Sequence, residues 1–200
     1  MSEPAASMVL WALSFAARRH EGQVRKDGRT PYIAHPARVL AIMSIVFGVE
    51  DPETLAAAVL HDTIEDTTTD RDDLIEHFGP RVAEFVALLS KDTRLPEPER
   101  EARYLATLAA APLEVKLCKL ADTYDNMIDS SCLPEALRAK KRREARRLIE
   151  LFEPGFPAPW RHVLDVVSQA SLTDAAGAGL LKDTKDDIQM TKDARNPKHP

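Results

Sequence analysis

The sequence predicts an all-α protein, and three observations carry that prediction. Apolar residues recur at helical spacing from Val9 to Leu172. No stretch alternates as a half-buried strand does. Ala and Leu dominate an apolar content of 44%, with aromatics at only 6%, a composition that favours helices. At the usual helix length this amounts to about eight to ten helices.

Ser7 can cap a first helix whose broad apolar face is Val9, Leu10, Leu13, Phe15, Ala16 and Ala17. Arg18, Arg19 and His20 suit its C-terminal dipole, and Gly22 permits a stop. A basic loop, 23–30, follows. Pro36 fits the first turn of a second helix and places His35 at its start. Val39, Leu40, Ile42, Met43 and Val46 form the inner face there, and Gly48 ends it. Asp51-Pro52 is an N-cap acid followed by Pro at the first helical position. The helix it opens runs through Leu55 and Leu60 to the break at Thr67-Thr68-Thr69. Asp70 to Phe78 is a short helix, stopped by Gly79 and restarted at Pro80, with Val82, Phe85, Val86, Leu88 and Leu89 inward. Residues 91–100 are polar, contain two prolines and are expected to be a loop. Helices follow over 101–110 and, after Pro112, over 115–128. Pro134 opens a strongly basic helix: seven of the ten residues from Arg138 to Arg147 are Lys or Arg. Leu137, Leu148, Ile149 and Phe152 give it an inner face, and its cations are read as a solvated face. After Pro154, Pro157 and Pro159 a last helix spans 160–172. The expected organisation is one domain, 1–172, and a polar, disordered tail, 173–200.

A net charge of −5 argues against a nucleic-acid coat but leaves room for a local basic pocket. No apolar run approaches the ~20 residues that span a bilayer. Met1-Ser2-Glu3-Pro4 lacks the basic region of a signal peptide, and Cys118 and Cys132 form no CxxC pair. These features give the expectation of a cytoplasmic protein with reduced thiols and no membrane partner.

Candidate chemistry centres on Leu60-His61-Asp62-Thr63-Ile64-Glu65-Asp66, which follows the apolar run 55–60. In a continuous helix Glu65 lies four residues after His61, and Asp66 four after Asp62, on neighbouring parts of one face. A His-Asp pair offers one nitrogen and one oxygen to a cation, a mixture suited to Mn, Fe or Zn rather than Ca or Mg. The plain alternative is a helix C-terminus with a His near its dipole and acids in the following turn. His35 and Asp122 lie in other apolar, helical surroundings. Alone, each is ordinarily a helix-start residue or a surface acid. Together with His61 and Asp62 they can close most of a six-coordinate site and leave positions for water.

The order His35, His61-Asp62, Asp122 resembles the HD phosphohydrolase superfamily. Arg25-Lys26-Asp27, the segments 30–36 and 58–67, Phe78-Gly79, the segment 116–122 and Asn126-Met127 narrow the likeness to the hydrolase domain of RelA/SpoT proteins. It covers roughly residues 8–155, and no synthetase domain follows, as in the small alarmone hydrolases. The resemblance implies an HD-domain fold and a Mn²⁺-dependent hydrolase of guanosine tetra- and pentaphosphate that removes the 3′ pyrophosphate. It implies that His35, His61, Asp62 and Asp122 hold the metal and that Glu65 and Asp66 position or deprotonate water. Arg25 and Lys26 become phosphate contacts, Asn126 a nucleoside contact, and Lys141 the basic residue that relatives carry near the nucleotide. For the cationic pair the alternative is a solvated basic loop, and for Asn126 a helix-end residue.

The chain also departs from the family pattern. Thr123 replaces a usual Arg or Lys. Tyr124-Asp125 stands for a common Leu-His or Leu-Tyr pair, with Asp125 adding negative charge near a site for an anion. Ala145 replaces a Tyr near the nucleotide. These changes leave the metal chemistry alone and bear on base and ribose specificity. Two further readings follow: an HD phosphohydrolase for another phosphorylated nucleotide, such as the 2′-phosphate of NADPH, and a non-catalytic module binding the alarmone or a protein partner through 138–147. The presence of both Glu65 and Asp66 speaks against the second.

Overall fold

The computed structural model describes residues 3–172, so the tail expected over 173–200 lies outside the described residues. The helices are α1 (Glu3–Arg19), α2 (Ala34–Ala41), α3 (Pro52–Leu60), α4 (Thr63–Asp66), α5 (Arg71–Phe78), α6 (Pro80–Leu89), α7 (Glu97–Ala110), α8 (Leu113–Ile128), α9 (Glu135–Phe152) and α10 (Arg161–Leu172). Among the described residues there is no strand, only an isolated bridge between Val24 and Pro31 that closes the basic loop. No described helix is long and apolar enough to cross a membrane.

Helix α3 is the centre of the bundle and packs against α1, α2, α6 and α8. Every residue from Thr54 to Leu60 is buried, so this helix has no solvent face. Each fully buried Leu or Val there contributes on the order of 1.5–3 kcal/mol. Its start is the one expected: the Asp51 carboxylate accepts from the Thr54 N–H, with Pro52 at the first position. Helices α8, α9 and α10 pack on one another, and α8 and α9 form the other wall of the site.

Several local expectations are corrected. Helix α1 begins at Glu3, so Ser7 lies inside it rather than capping it. Leu10 is 63% exposed and Ala17 is also exposed, which narrows the inner face of α1 to Val9, Ala12, Phe15 and Ala16, with Leu13 partly buried against the core. The second helix widens into a π turn over Ile42–Val46, which carries Val46 out to solvent while Ile42 and Met43 stay buried. Residues 97–100 belong to α7 rather than a loop. Pro96 precedes that helix and Pro98 sits in its first turn, where a missing N–H costs nothing. Leu137 is exposed rather than inward.

The continuous helix expected through the motif stops at Leu60. Thr63 Oγ1 donates to Leu60 O at 2.7 Å, and the His61 ring lies 2.8 Å from Ala58 O. Side chains thus satisfy the terminal carbonyls, and the chain turns at His61-Asp62 before the single turn of α4.

Candidate metal centre and substrate cavities

Four side chains from three helical segments meet. His35 comes from the start of α2, His61 and Asp62 from the turn after α3, and Asp122 from the middle of α8. The two Nε2 atoms are 3.2 Å apart. His35 Nε2 lies 3.5 Å from Asp62 Oδ2 and 3.2 Å from Asp122 Oδ1. His61 Nε2 lies 3.0 Å from Asp62 Oδ2 and 3.8 Å from Asp122 Oδ1. His35, His61 and Asp122 are buried, and Asp62 is partly so.

The tautomers show what this set can hold. His61 Nδ1 faces a carbonyl, which only accepts, so Nδ1 carries the hydrogen. His35 Nδ1 lies 2.6 Å from Asp125 Oδ2 and donates to that carboxylate. When neutral, both rings turn bare Nε2 lone pairs toward each other and toward two carboxylates, an arrangement that a cation stabilises. Adjacent ligands ~2.1 Å from an ion at right angles lie ~3 Å apart, close to the spacings here. The donors fit a divalent metal, and two nitrogens with two oxygens suit the borderline ions.

In the metal-free protein a proton takes part of this role. Burial pushes His61 toward neutrality, but the carboxylates of Asp62 and Asp122 outweigh it and raise its pKa to about 9. Burial would raise Asp62, yet the His61 charge holds it below the usual carboxylate range. Asp122 is likewise held well down against burial, chiefly by Lys119, whose Nζ is 2.6 Å from Oδ2. Lys119 stays protonated despite burial because of the same contact.

Around this centre lies a cavity of about 380 Å³ that also reaches Lys26, Tyr32, Glu65, Asp66 and Lys91. Glu65 Oε2 accepts from the Lys91 N–H at 3.0 Å, which leaves its other oxygen free of that bond. The Tyr32 hydroxyl lies 2.6 Å from Asp62 and 3.1 Å from Asp66. Its single proton serves one of them, and Asp62 is nearer. Burial, and then Asp62, push this phenol far above its ordinary pKa, so it remains a donor.

The other expected contacts are placed as follows. Lys26 is exposed at the cavity rim. Arg25 is not a free cation of a solvated loop: its guanidinium is paired with Asp129 at 2.9 Å, donates to Asn126 Oδ1 at 3.3 Å and lies over the Tyr32 ring. Asn126 is a junction, its amide donating to Asp122 while its oxygen accepts from Arg25 and from Lys141 Nζ at 3.2 Å. Burial, and then Lys26, lower the Lys141 pKa.

A second cavity, of about 540 Å³, shares Lys91, Lys119, Asp122 and Asn126 with the first and extends to Lys140, Lys141 and Arg147. The reading of the basic helix as a solvated face is thus corrected: one side of α9 lines this space. Ala145 is fully buried and does not line it, whereas Glu144 and Leu148 do. The expected charge clash of Asp125 is also corrected. That carboxylate is fully buried, bound by Arg38 at 2.6 and 3.0 Å, and turned to His35.

Sequence reasoning overlooked Arg38, Lys91, Lys119 and Asp129, and gave Tyr32 no role. Helical spacing held part of the signal: Arg38 is three after His35, Lys119 three before Asp122, and Asp129 four after Asp125.

The HD domain family matches residues 12–154. A Xenopus tropicalis protein named guanosine-3′,5′-bis(diphosphate) 3′-pyrophosphohydrolase MESH1 is 39% identical over 70% of this chain and 79% of its own length. The Homo sapiens protein of that name is 42% identical over 65% of this chain and 74% of its own. A solved structure described as a metazoan orthologue of SpoT that hydrolyses ppGpp superposes with a TM-score of 0.71 at 29% identity, covering 88% of this chain and 97% of that one. With an all-helical bundle and two His and two Asp at its centre, the chain belongs to the HD-domain family of metal-dependent phosphohydrolases, in the group of the RelA/SpoT-type hydrolases.

Proposed function

We propose that this protein hydrolyses guanosine 3′,5′-bis(diphosphate) and its pentaphosphate analogue, releasing pyrophosphate from the 3′ position and leaving GDP or GTP. The observation that carries this reading is the junction of two cavities at Lys119, Asp122 and Asn126, one with the metal-type donors and the other with Lys140, Lys141 and Arg147. That layout suits a nucleotide with a separate anionic group at each end. The printed activity of the relatives named above supports it.

His35, His61, Asp62 and Asp122 would hold the divalent ion, with Mn²⁺ as the proposed metal. When bound, it supplies Lewis acidity, lowering the pKa of water and drawing charge from the phosphoryl oxygens. The protein does the rest. Water adds to the phosphorus next to the ribose, the P–O3′ bond breaks, and pyrophosphate departs. Glu65, fixed through one oxygen by the Lys91 N–H, accepts the proton of the water, with Asp66 beside it. That proton balances the one O3′ gains on leaving. Lys26, Lys91 and Lys119 counter the charge of the 3′ diphosphate under attack and of the pyrophosphate it becomes. Lys119 and Asn126 grip Asp122 from both sides and fix its orientation. Lys141 and its neighbours on α9 face the nucleoside end.

The test is to incubate the pure protein and Mn²⁺ with guanosine tetraphosphate, guanosine pentaphosphate and NADPH, and to identify the products. Pyrophosphate with GDP or GTP is expected. Release of orthophosphate from NADPH, with the guanosine compounds intact, would replace this substrate with another phosphorylated nucleotide.

A further inference from the structure

Asp125 lies on the face of α8 that carries Asp122, but it points to the back of His35. Its carboxylate is fully buried and has no solvent to satisfy it. One oxygen, Oδ2, accepts the His35 Nδ1–H at 2.6 Å. Arg38 binds both oxygens, Nε to Oδ1 at 2.6 Å and its terminal nitrogen to Oδ2 at 3.0 Å. The same terminal nitrogen lies 2.8 Å from Asp129, which is itself paired with Arg25 at 2.9 Å. Two carboxylates and two guanidiniums thus alternate from the basic loop to the ring of His35. Charges balance within the set, so the carboxylate at its inner end is held in place with its negative charge intact.

An imidazole carries one hydrogen when neutral. An acceptor fixed at Nδ1 places that hydrogen there and leaves Nε2 bare. It also limits ring rotation, and it makes Nε2 a stronger donor to a cation, because the carboxylate stabilises the charge that donation leaves on the ring. His61 obtains its tautomer from a neutral backbone carbonyl. His35 obtains it from an anion.

We propose that Asp125 is a positioning residue for the metal centre: held by Arg38, it fixes His35 in the Nδ1–H tautomer and strengthens its Nε2 as a ligand. This rests on the reading of His35, His61, Asp62 and Asp122 as metal ligands.

Asp125→Asn tests it. The amide keeps the size of the side chain but removes the charge, and presents either a weaker acceptor to His35 or a hydrogen that clashes with Nδ1–H. Mn²⁺ affinity is measured by calorimetry, with folding followed separately by circular dichroism and Tm. The expected loss in affinity is ~10–100-fold, the usual effect of removing such a partner. A folded Asp125→Asn that binds Mn²⁺ as tightly as the parent overturns the proposal while the metal site stands. If the parent binds no divalent ion, or His61→Ala binds it undiminished, the metal site and this proposal fall together. Should Asp125→Asn not fold, the parent loaded with diamagnetic Zn²⁺ decides by ¹H–¹⁵N correlation of its imidazoles. His35 is expected to show a protonated Nδ1 and a metal-shifted Nε2. The reverse pattern overturns the proposal.

Discussion

Glu65 and Lys26 face the same cavity but should fail differently. Glu65→Gln keeps the size and the bond from the Lys91 N–H, yet cannot accept a proton. It is expected to retain metal and substrate and to lose ~10²–10⁴-fold in kcat, the usual worth of a placed general base. Lys26→Ala should raise KM more than it lowers kcat, since a rim cation meets ground and transition states alike. Steady-state kinetics with Mn²⁺ separates the two, and an unchanged kcat in Glu65→Gln removes its role as base. His61 gives a pH dependence. Its pKa rises from an unfolded value of 6.5 to about 9 in the metal-free protein, so the folded state binds the proton more tightly. The resulting stability is full below pH 6.5 and is lost as pH climbs through 9, a total of about 3 kcal/mol. Melting curves of chelator-treated protein from pH 6.5 to 9.5 should show that decline. A flat Tm across the window contradicts it. At this scale the sequence was legible for which side chains gather: His35, His61, Asp62 and Asp122, picked out by type and order, do meet. Asp125 was legible only as a charge, because its meaning depends on Arg38, 87 residues away.

Among the elements, boundaries set by local chemistry were the readable ones. Asp51-Pro52 and Gly79-Pro80 mark their helices correctly because caps and prolines act within a few residues. The breaks in the second helix and after Leu60 were not readable. The first follows from a π turn, and the second from side chains of His61 and Thr63 that could equally have served a continuing helix. Gly79 offers a test. It has φ 85° and ψ 167°, a region open essentially to Gly, yet a methyl group there would meet no atom within 4 Å. Gly79→Ala should therefore destabilise by about 1–3 kcal/mol through backbone strain alone. Urea unfolding with an unchanged m-value is the expected record, and an unaltered midpoint would show that the α5–α6 joint relaxes freely.

For the whole molecule, the all-helical class followed from periodicity and composition, both averages over many residues. The arrangement of the helices did not. Nothing local says that one side of α9 lines a cavity shared with α8, since a row of Lys and Arg looks the same facing a pocket or bulk water. Nor does a sequence show that α1 leaves Leu10 outside. Charge balance is likewise a property of the assembled chain: Arg25, Arg38, Asp125 and Asp129 come from three segments and neutralise one another only after folding.

The wall common to the two cavities, formed by Lys91, Lys119, Asp122 and Asn126, bears on how the reaction ends. Under the proposed function, cleavage at O3′ leaves pyrophosphate on one side of that wall and the nucleoside diphosphate on the other. The products need not compete for space. Pyrophosphate and GDP should then inhibit together, each able to bind while the other is present, and a plot of reciprocal rate against one at several concentrations of the other should give intersecting lines. Parallel lines would mean that the two products exclude each other and that the cavities serve as a single compartment.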